Sequence, residues 1–350
     1  MRNIFIVTGI GGHLGNTVAR ELIGRGETVR GFARVNEDVT MLYGDAVSIV
    51  RGDVRDAASL EPLFFGLDTE DAVTVIHCAG IVSITSKYDQ NVVDVNVRGT
   101  KNIVELCRAH QVKKLVYIST VHAIPELPAG ATMAEVNRFK PDAVDGLYAK
   151  TKAAATQIVL DAAKEGLDAT VIHPSGIIGP NDYGHGHLTQ LIISYLNGSL
   201  TACVEGGYDF VDVRDVASGV ISAAYKGRRG ECYILSNRYI RVPELLNALS
   251  RVTGGRRVRT VLPLWFARAF APLAELYYKI RREAPLFTKY SLSTLTSNAR
   301  FTSAKARREL GYKPRDISAT LRDTVSFLAR ERSNLFKKSQ LSRIRPLSAM

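Results

Sequence analysis

A glycine-rich turn set between a short apolar strand and a helix constrains this chain more than any other feature. Residues 4–7, IFIV, read as a buried strand, and residues 14–24 read as an amphipathic helix. Between them runs TGIGGHLG, with Thr8, Gly9, Gly11, Gly12, His13, Leu14 and Gly15. Glycines at 9, 12 and 15 permit a tight turn, close backbone approach to a pyrophosphate, and close packing of the helix on the sheet. The free N–H groups and partial positive charge of the helix N-terminus favour the same anion. Three spaced glycines alone say little. Between a strand and a helix, with a second strand following, they imply a dinucleotide site.

The rest of the first half supports that reading. Strand-like segments at 28–32, 48–51, 73–77, 115–118 and 169–173 alternate with helical stretches, notably 96–110. Short apolar strands joined by helix-length crossovers make a parallel sheet covered on both faces, an α/β doubly wound Rossmann fold. After residue 173 loops lengthen and Gly and Pro become frequent. Segments 210–213 and 232–235 are expected to return to the sheet. The expected division is a Rossmann domain over 1–172 plus about 207–237, a smaller, discontinuous C-terminal substrate lobe over 173–206 plus 238–330, and a basic mobile tail over 331–350.

Composition excludes some classes. The chain has 350 residues, 46% hydrophobic and 23% charged, which is ordinary for a globular protein and unlike a disordered chain. Arg2 and Asn3 lead directly into the first strand, leaving no room for a secretory signal, so a cytoplasmic location is expected. Cys78, Cys107, Cys203 and Cys232 lack metal or disulfide spacing and read as free thiols. Part of the net charge of +12 lies at Arg330, Arg332, Lys337, Lys338, Arg343 and Arg345. That tail reads as a solvated terminus or as a weak contact for an anionic membrane surface. No nucleic-acid partner, transmembrane segment or metal is expected.

Cofactor choice turns on the end of the second strand. An acid there would hold the ribose 2′-hydroxyl of NAD, but the position is Ala33, followed by Arg34. A guanidinium suits a 2′-phosphate, and Arg30 is nearby, so NADP is favoured over NAD. Asp53 and Val54, in GDVRD, follow the third strand. Asp53 reads either as an acceptor for the adenine amino group or as a cap for the next helix.

Tyr148 and Lys152, in YAKTK, are four residues apart in a helical stretch and share one face. A neighbouring ammonium lowers a phenol's pKa from about 10, so the pair can exchange a proton with a substrate oxygen. The buried strand LVYIST ends in Ser119 and Thr120, at the sheet edge where ligands bind. Thr120, and after it Ser119, is the candidate to orient a substrate oxygen.

With these pieces assembled, the chain resembles the extended short-chain dehydrogenases/reductases, over about residues 1–329. The matching motifs are TGIGGHLG, GDVRD, HCAG at 77–80, NVRGT at 96–100, ST at 119–120, YAKTK, HPSGIIGP at 173–180, DFVDVRDVA at 209–217 and KARRELGY at 305–312. The resemblance implies that Tyr148 is the acid/base, that Lys152 tunes it and binds the nicotinamide ribose, and that Thr120 orients the substrate oxygen. It further implies that Cys78, Ala79, Gly80 and Asn96 line the cofactor, that Pro174, Ser175, Gly176 and Ile177 flank the nicotinamide, and that the protein dimerises through helices of the Rossmann half.

Three departures separate the chain from nucleotide-sugar epimerases and dehydratases. Gly176 stands where those usually carry Asn, Tyr208 where they carry Arg, and Ala33 where they carry Asp. The pattern is closer to dihydroflavonol reductases and 3β-hydroxysteroid dehydrogenases, although His173 replaces their usual Arg before Pro174. Candidate substrate contacts are Ile81, Val82, Ile84, His122, Tyr183, His185 and Tyr208. The DYGHGH loop with Tyr183, His185 and His187 reads as substrate contact or as an incidental polar loop. Segment 264–283, interrupted by Pro272, keeps Arg268, Glu275, Lys279 and Arg282 on one stripe. It reads as lobe packing, as a lid over an apolar ligand, or as a membrane-surface contact. The leading function is an NAD(P)-dependent reductase or dehydrogenase acting on a small, mostly apolar carbonyl or alcohol. The alternatives are a sugar or nucleotide-sugar epimerase/dehydratase and a non-catalytic cofactor-sensing regulator.

Overall fold

The computed structural model describes residues 2–84, 87–267, 269 and 289–332. The strands are β1 (Asn3–Thr8), β2 (Thr28–Arg34), β3 (Ser48–Gly52), β4 (Ala72–His77), β5 (Lys114–Ile118), β6 (Ala169–Pro174), β7 (Gly176–Ile178), β8 (Ala202–Val204), β9 (Gly207–Asp212), β10 (Cys232–Leu235), β11 (Arg238–Arg241) and β12 (Thr260–Leu262). The helices are α1 (His13–Gly24), α2 (Thr40–Tyr43), α3 (Ala57–Leu60), α4 (Gln90–Val93), α5 (Gly99–Ala109), α6 (Leu147–Lys164), α7 (His187–Leu196), α8 (Val213–Lys226), α9 (Val242–Thr253), α10 (Lys289–Thr294), α11 (Ala304–Leu310) and α12 (Ile317–Glu331).

Seven parallel strands form the main sheet in the order β10-β6-β5-β4-β1-β2-β3. β1 pairs with both β2 and β4, so the winding reverses at its C-terminal end. The crevice at such a reversal is where α/β folds bind ligands, and the glycine turn opens α1 there. Strand residues alternate between the faces. Ile6, Val75, Leu115, Tyr117 and Val171 join one apolar cluster, and Phe5, Val7, Ile76, Val116 and Ile172 the other. Helices α5 and α6 pack together against the first face, and α1 and α8 against the second. Each fully buried large aliphatic or aromatic side chain contributes roughly 1.5–3 kcal/mol.

The second half departs from the sequence expectation in one strand. β10 returns to the main sheet beside β6, as expected for 232–235. β9 does not: it lies in a separate three-stranded sheet, parallel to β7 and antiparallel to β11. β10 already holds the place next to β6, so β9 pairs outside it. The strand also starts and stops earlier than 210–213, because Asp212 accepts a hydrogen bond from the Arg214 N–H and caps α8. β8 and β12 form a second small sheet, and α9 packs against α12. Arg315 ties the approach to α12 to the buried Asp215 at 2.8 Å, and Arg214 bridges Asp212 and Asp323 at 2.7 Å each.

Segment 94–98 is a π-helical turn leading into α5, a departure from the regular helix expected over 96–110 and one that recurs at functional sites. Of the segment expected as a lid or packing helix, residues 264–267 are helical, whereas 268 and 270–288 lie outside the described residues, as do 333–350 of the basic tail. Among the described residues, no helix is long and apolar enough to cross a membrane.

Candidate active site

The glycine turn has the geometry its composition requires. Gly9 lies at φ +67°, and a β-carbon there would stand 2.8 Å from the Ala79 backbone. A β-carbon at Gly15 would collide with the Gly9 carbonyl. Gly12 caps α1 without help from a side chain, so the first-turn N–H groups are left to the turn and its ligand. Thr8 Oγ1 bonds the buried His77 at 2.7 Å and accepts from the Ala79 N–H at 3.2 Å, joining the ends of β1 and β4. Leu14 is buried, and His13 donates to the Pro180 carbonyl at 3.0 Å. These residues fit a dinucleotide: the backbone is bare, the helix end is uncapped by side chains, and both lie at the switch point.

At the ribose side the structure adds a residue that the sequence expectation lacks. Arg34 ends β2 largely exposed, and its guanidinium lies 3.4 Å from Glu37. Glu37 sits over Gly11, where a β-carbon would come within 2.6 Å of Glu37 Cδ. The available signal is spacing: Glu37 follows the last glycine by about 20 residues, where dinucleotide folds carry a ribose-binding acid. Arg30 is turned elsewhere, donating to the Leu63 and Phe65 carbonyls, so it does not support a 2′-phosphate. Asp53 is chelated by Arg55, which holds its carboxyl below the usual range, and Asp56 rather than Asp53 caps the following helix. Val54 packs on Gly99, and its carbonyl accepts from Asn102 at 2.9 Å.

Lys152 reaches the C-terminal ends of β4 and β5. It is buried, donates to the Ile118 carbonyl at 2.6 Å and lies 4.4 Å over the Tyr117 ring. Burial lowers its pKa to about 7. Burial also raises the neighbouring Cys78 thiol to about 12, so it stays protonated at neutral pH. A β-carbon at Gly80 would lie 3.2 Å from Asn96 Oδ1 and 4.0 Å from Lys152 Nζ, which places these three residues together. Asn96, buried in the π-helical turn, accepts from the Ile81 N–H at 2.8 Å. It donates to the Ile81 carbonyl at 3.0 Å and to Thr151 Oγ1 at 3.1 Å. Thr151 in turn donates to the Tyr148 carbonyl at 2.8 Å. One side chain thus fixes the segment after β4 to the helix that carries Tyr148 and Lys152.

Tyr148 is half-buried and meets the edge of His122, with ring centroids 6.3 Å apart. His122 stacks on Tyr208 and bonds its hydroxyl at 2.8 Å. Thr120, at the end of this edge, accepts from the His122 N–H at 3.3 Å, and its carbonyl accepts from His173 at 2.8 Å. Ser119 is turned away into a 2.7 Å bond with Thr156. Further along, Pro174 ends β6, Gly176 and Ile177 open β7, and Ser175 donates to the buried Asp209 at 2.5 Å. Ile81 and Ile84 are half-buried and Val82 is exposed. The DYGHGH loop lies against α1 and α12: Tyr183 packs on Phe327 and under Arg20 of α1, and His185 adopts φ +48°. No local motif signals that this loop fastens to α1, because the contact spans more than 160 residues of chain.

The chain is similar in sequence and fold to known proteins. The sequence model of the NAD dependent epimerase/dehydratase family matches residues 5–236. Sterol demethylase protein B of Methylococcus capsulatus is 34% identical over 333 residues, covering 93% of this chain and 98% of that protein. A 3 beta-hydroxysteroid dehydrogenase/Delta 5-->4-isomerase of Mycobacterium tuberculosis is 28% identical, covering 88% and 85%. The crystal structure of gox2253 superposes with a TM-score of 0.81 at 27% identity, covering 95% of this chain and 99% of that one. The chain belongs to the NAD-dependent epimerase/dehydratase family and is an extended short-chain NAD(P)-dependent oxidoreductase.

Proposed function

We propose that this enzyme interconverts a carbonyl and a secondary alcohol on a small, mostly apolar substrate, with Tyr148 as the acid/base. The observation that carries the substrate reading is the packing of Tyr208 on Gly176. A β-carbon at 176 would stand 2.9 Å from the Tyr208 ring and 3.0 Å from the Asp209 carbonyl. The polar side chain that nucleotide-sugar enzymes place there has no room. A tyrosine stacked on a histidine fills the space where a diphosphate would need a cation. The names of the M. capsulatus and M. tuberculosis relatives, which refer to sterols and steroids, point to the same substrate class.

The glycine turn, Asn96 and Lys152 would hold the dinucleotide, which supplies hydride transfer when bound. NADP is favoured on the charge of Arg34, with Glu37 opposing it. Tyr148 gives a proton to, or takes one from, the substrate oxygen. Lys152, poised near neutrality, stabilises the phenolate when protonated. Thr120 and His122 present polar atoms at the sheet edge to orient that oxygen. Ile81, Ile84 and Ile177 exclude water around it.

A panel of carbonyls and alcohols with both dinucleotides, followed at the reduced nicotinamide absorbance, tests the reading. Stoichiometric loss or gain of reduced cofactor is expected, whereas an epimerase would recycle it without net change. Tyr148→Phe should lower turnover by about 10²–10⁴-fold with dinucleotide affinity retained. Undiminished turnover in that variant would remove the proposed acid/base.

A further inference from the structure

We propose that the face formed by Arg256, Arg257, Arg259 and Trp265, on and beside β12, docks on an anionic lipid surface. The inference goes beyond the proposed reaction and stands without it.

The cationic half of the face is built by the chain that leaves α9. That helix ends at Gly254, whose φ of +63° turns the backbone out of it. Two anchors then fix the following stretch: Tyr195 donates its hydroxyl to the Arg256 carbonyl at 3.0 Å, and Val258 is buried in the larger core cluster. With the backbone held there, Arg256, Arg257 and Arg259 are all exposed. Among the described residues none of the three side chains is ion-paired or hydrogen-bonded. From Arg251 to Ala267 the chain carries four arginines and no acid. β8, which pairs with β12, is uncharged, and Glu205 follows it.

The apolar half adjoins it. Val261 is exposed in β12, and the helical turn at 264–267 presents Trp265, 72% exposed. The inner side of this stretch is occupied: Leu262 and Ala267 pack on Val204 and Leu292. An indole, apolar in its body with one N–H at its tip, suits the headgroup boundary of a bilayer. Guanidiniums six to nine residues earlier suit lipid phosphates. A nucleic acid would use the cations but not the aliphatic Val261 beside them, so a lipid surface matches both halves. The net charge of +12 adds long-range attraction to the same surface. The patch is also rooted next to the site. Leu295, packed on the same Val204 and Leu292, accepts from the Gly207 N–H at 3.0 Å, one residue before Tyr208. For an apolar substrate, docking here brings the Tyr208 end of the site to the phase in which that substrate dissolves.

The test is sedimentation of the full chain at low salt with two kinds of vesicle, phosphatidylcholine alone and phosphatidylcholine with an equal share of phosphatidylglycerol. It needs neither substrate nor dinucleotide. Binding to the anionic vesicles is expected, weakened by added salt. Trp265 is the single tryptophan of the chain, so a blue shift of its emission on binding reports this face alone. Each arginine at such a surface contributes about fivefold, so the combined Arg256→Gln, Arg257→Gln and Arg259→Gln variant should bind about tenfold more weakly or worse. Trp265→Ser should also bind more weakly. All four positions are exposed, so both variants should keep the wild-type melting temperature. No binding to anionic vesicles, equal binding to both compositions, or binding by the triple variant within about twofold of the wild type overturns the inference. A blue shift that grows with protein concentration in the absence of lipid assigns the face to a second copy of the chain. Binding to a single-stranded oligonucleotide but not to vesicles assigns it to nucleic acid. Either result overturns the inference as well, and none of them bears on the carbonyl panel, which tests the oxidoreductase reading separately.

Discussion

Replacing Asn96 with alanine tests whether the active site is held together through a single buried amide. Asn96 is 1% exposed and makes three hydrogen bonds, at 2.8, 3.0 and 3.1 Å, to Ile81 and Thr151. Each such bond contributes about 1 kcal/mol net, and a buried backbone group left unsatisfied costs about 1–3 kcal/mol. Ile81 is half-buried, so water can reach part of what is orphaned, and the lower end of that range applies. The expected loss is about 3 kcal/mol. For a chain of this length the unfolding entropy is about 0.7 kcal/mol/K, so the melting temperature should fall by about 4 °C. Activity should suffer more than stability. The segment after β4 and the helix carrying Tyr148 lose their common anchor, and a shift of about 1 Å between reacting groups can cost about 100-fold. Denaturant titration at fixed slope gives the first quantity and single-turnover kinetics the second. Asn96→Asp serves as the partner variant. It can still accept from the Ile81 N–H but cannot donate to the Ile81 carbonyl, so it too should be destabilised. If both variants fall within about 0.5 kcal/mol of the wild type, a range typical of surface substitutions, the anchoring role is refuted.

Gly15→Ala should weaken dinucleotide binding by about tenfold or more, because its β-carbon would stand 2.8 Å from the Gly9 carbonyl carbon and push the turn off α1; equal affinity by titration would show that the turn can yield. Stability should fall as pH drops below about 6.5. Burial depresses His77 to about 3 and His122 and His173 to about 4, so the unfolded chain binds protons in that window that the folded chain does not. Each ring should cost on the order of 1–2 kcal/mol by pH 5, and denaturation curves flat between pH 7 and 5 would contradict this. Lys152→Met should lower turnover and remove the ionisation near pH 7 that burial gives this lysine; an unchanged pH–rate profile would separate Lys152 from the proton step.

Much of the site is legible in the amino-acid order. The phosphate turn, Tyr148 and Lys152 lie in short contiguous motifs, and their spacing places them on a turn or on one helix face. Strands form at the eight apolar segments expected of them, with β9 shifted at its start and end and paired outside the main sheet. Asn96 enters the cofactor site by resemblance, but its three bonds reach groups that no motif links to it. Asp53 has two roles open to it from sequence, and the structure gives the cap to Asp56 instead. Glu37 escapes the rule that looks for an acid in the last residues of β2, because the carboxylate comes from the turn beyond.

The parallel sheet, the glycine turn and the pairing of Tyr148 with Lys152 on one helix face follow from the order of residues, because each depends on local periodicity or on positions a few apart. Long-range packing alone joins Asn96 to Thr151, 55 residues away, and His122 to Tyr208, 86 away. It also takes β9 out of the main sheet and turns Glu37 inward. Those outcomes depend on which distant surfaces compete for the same space, a question that neither hydrophobic period nor motif spacing addresses.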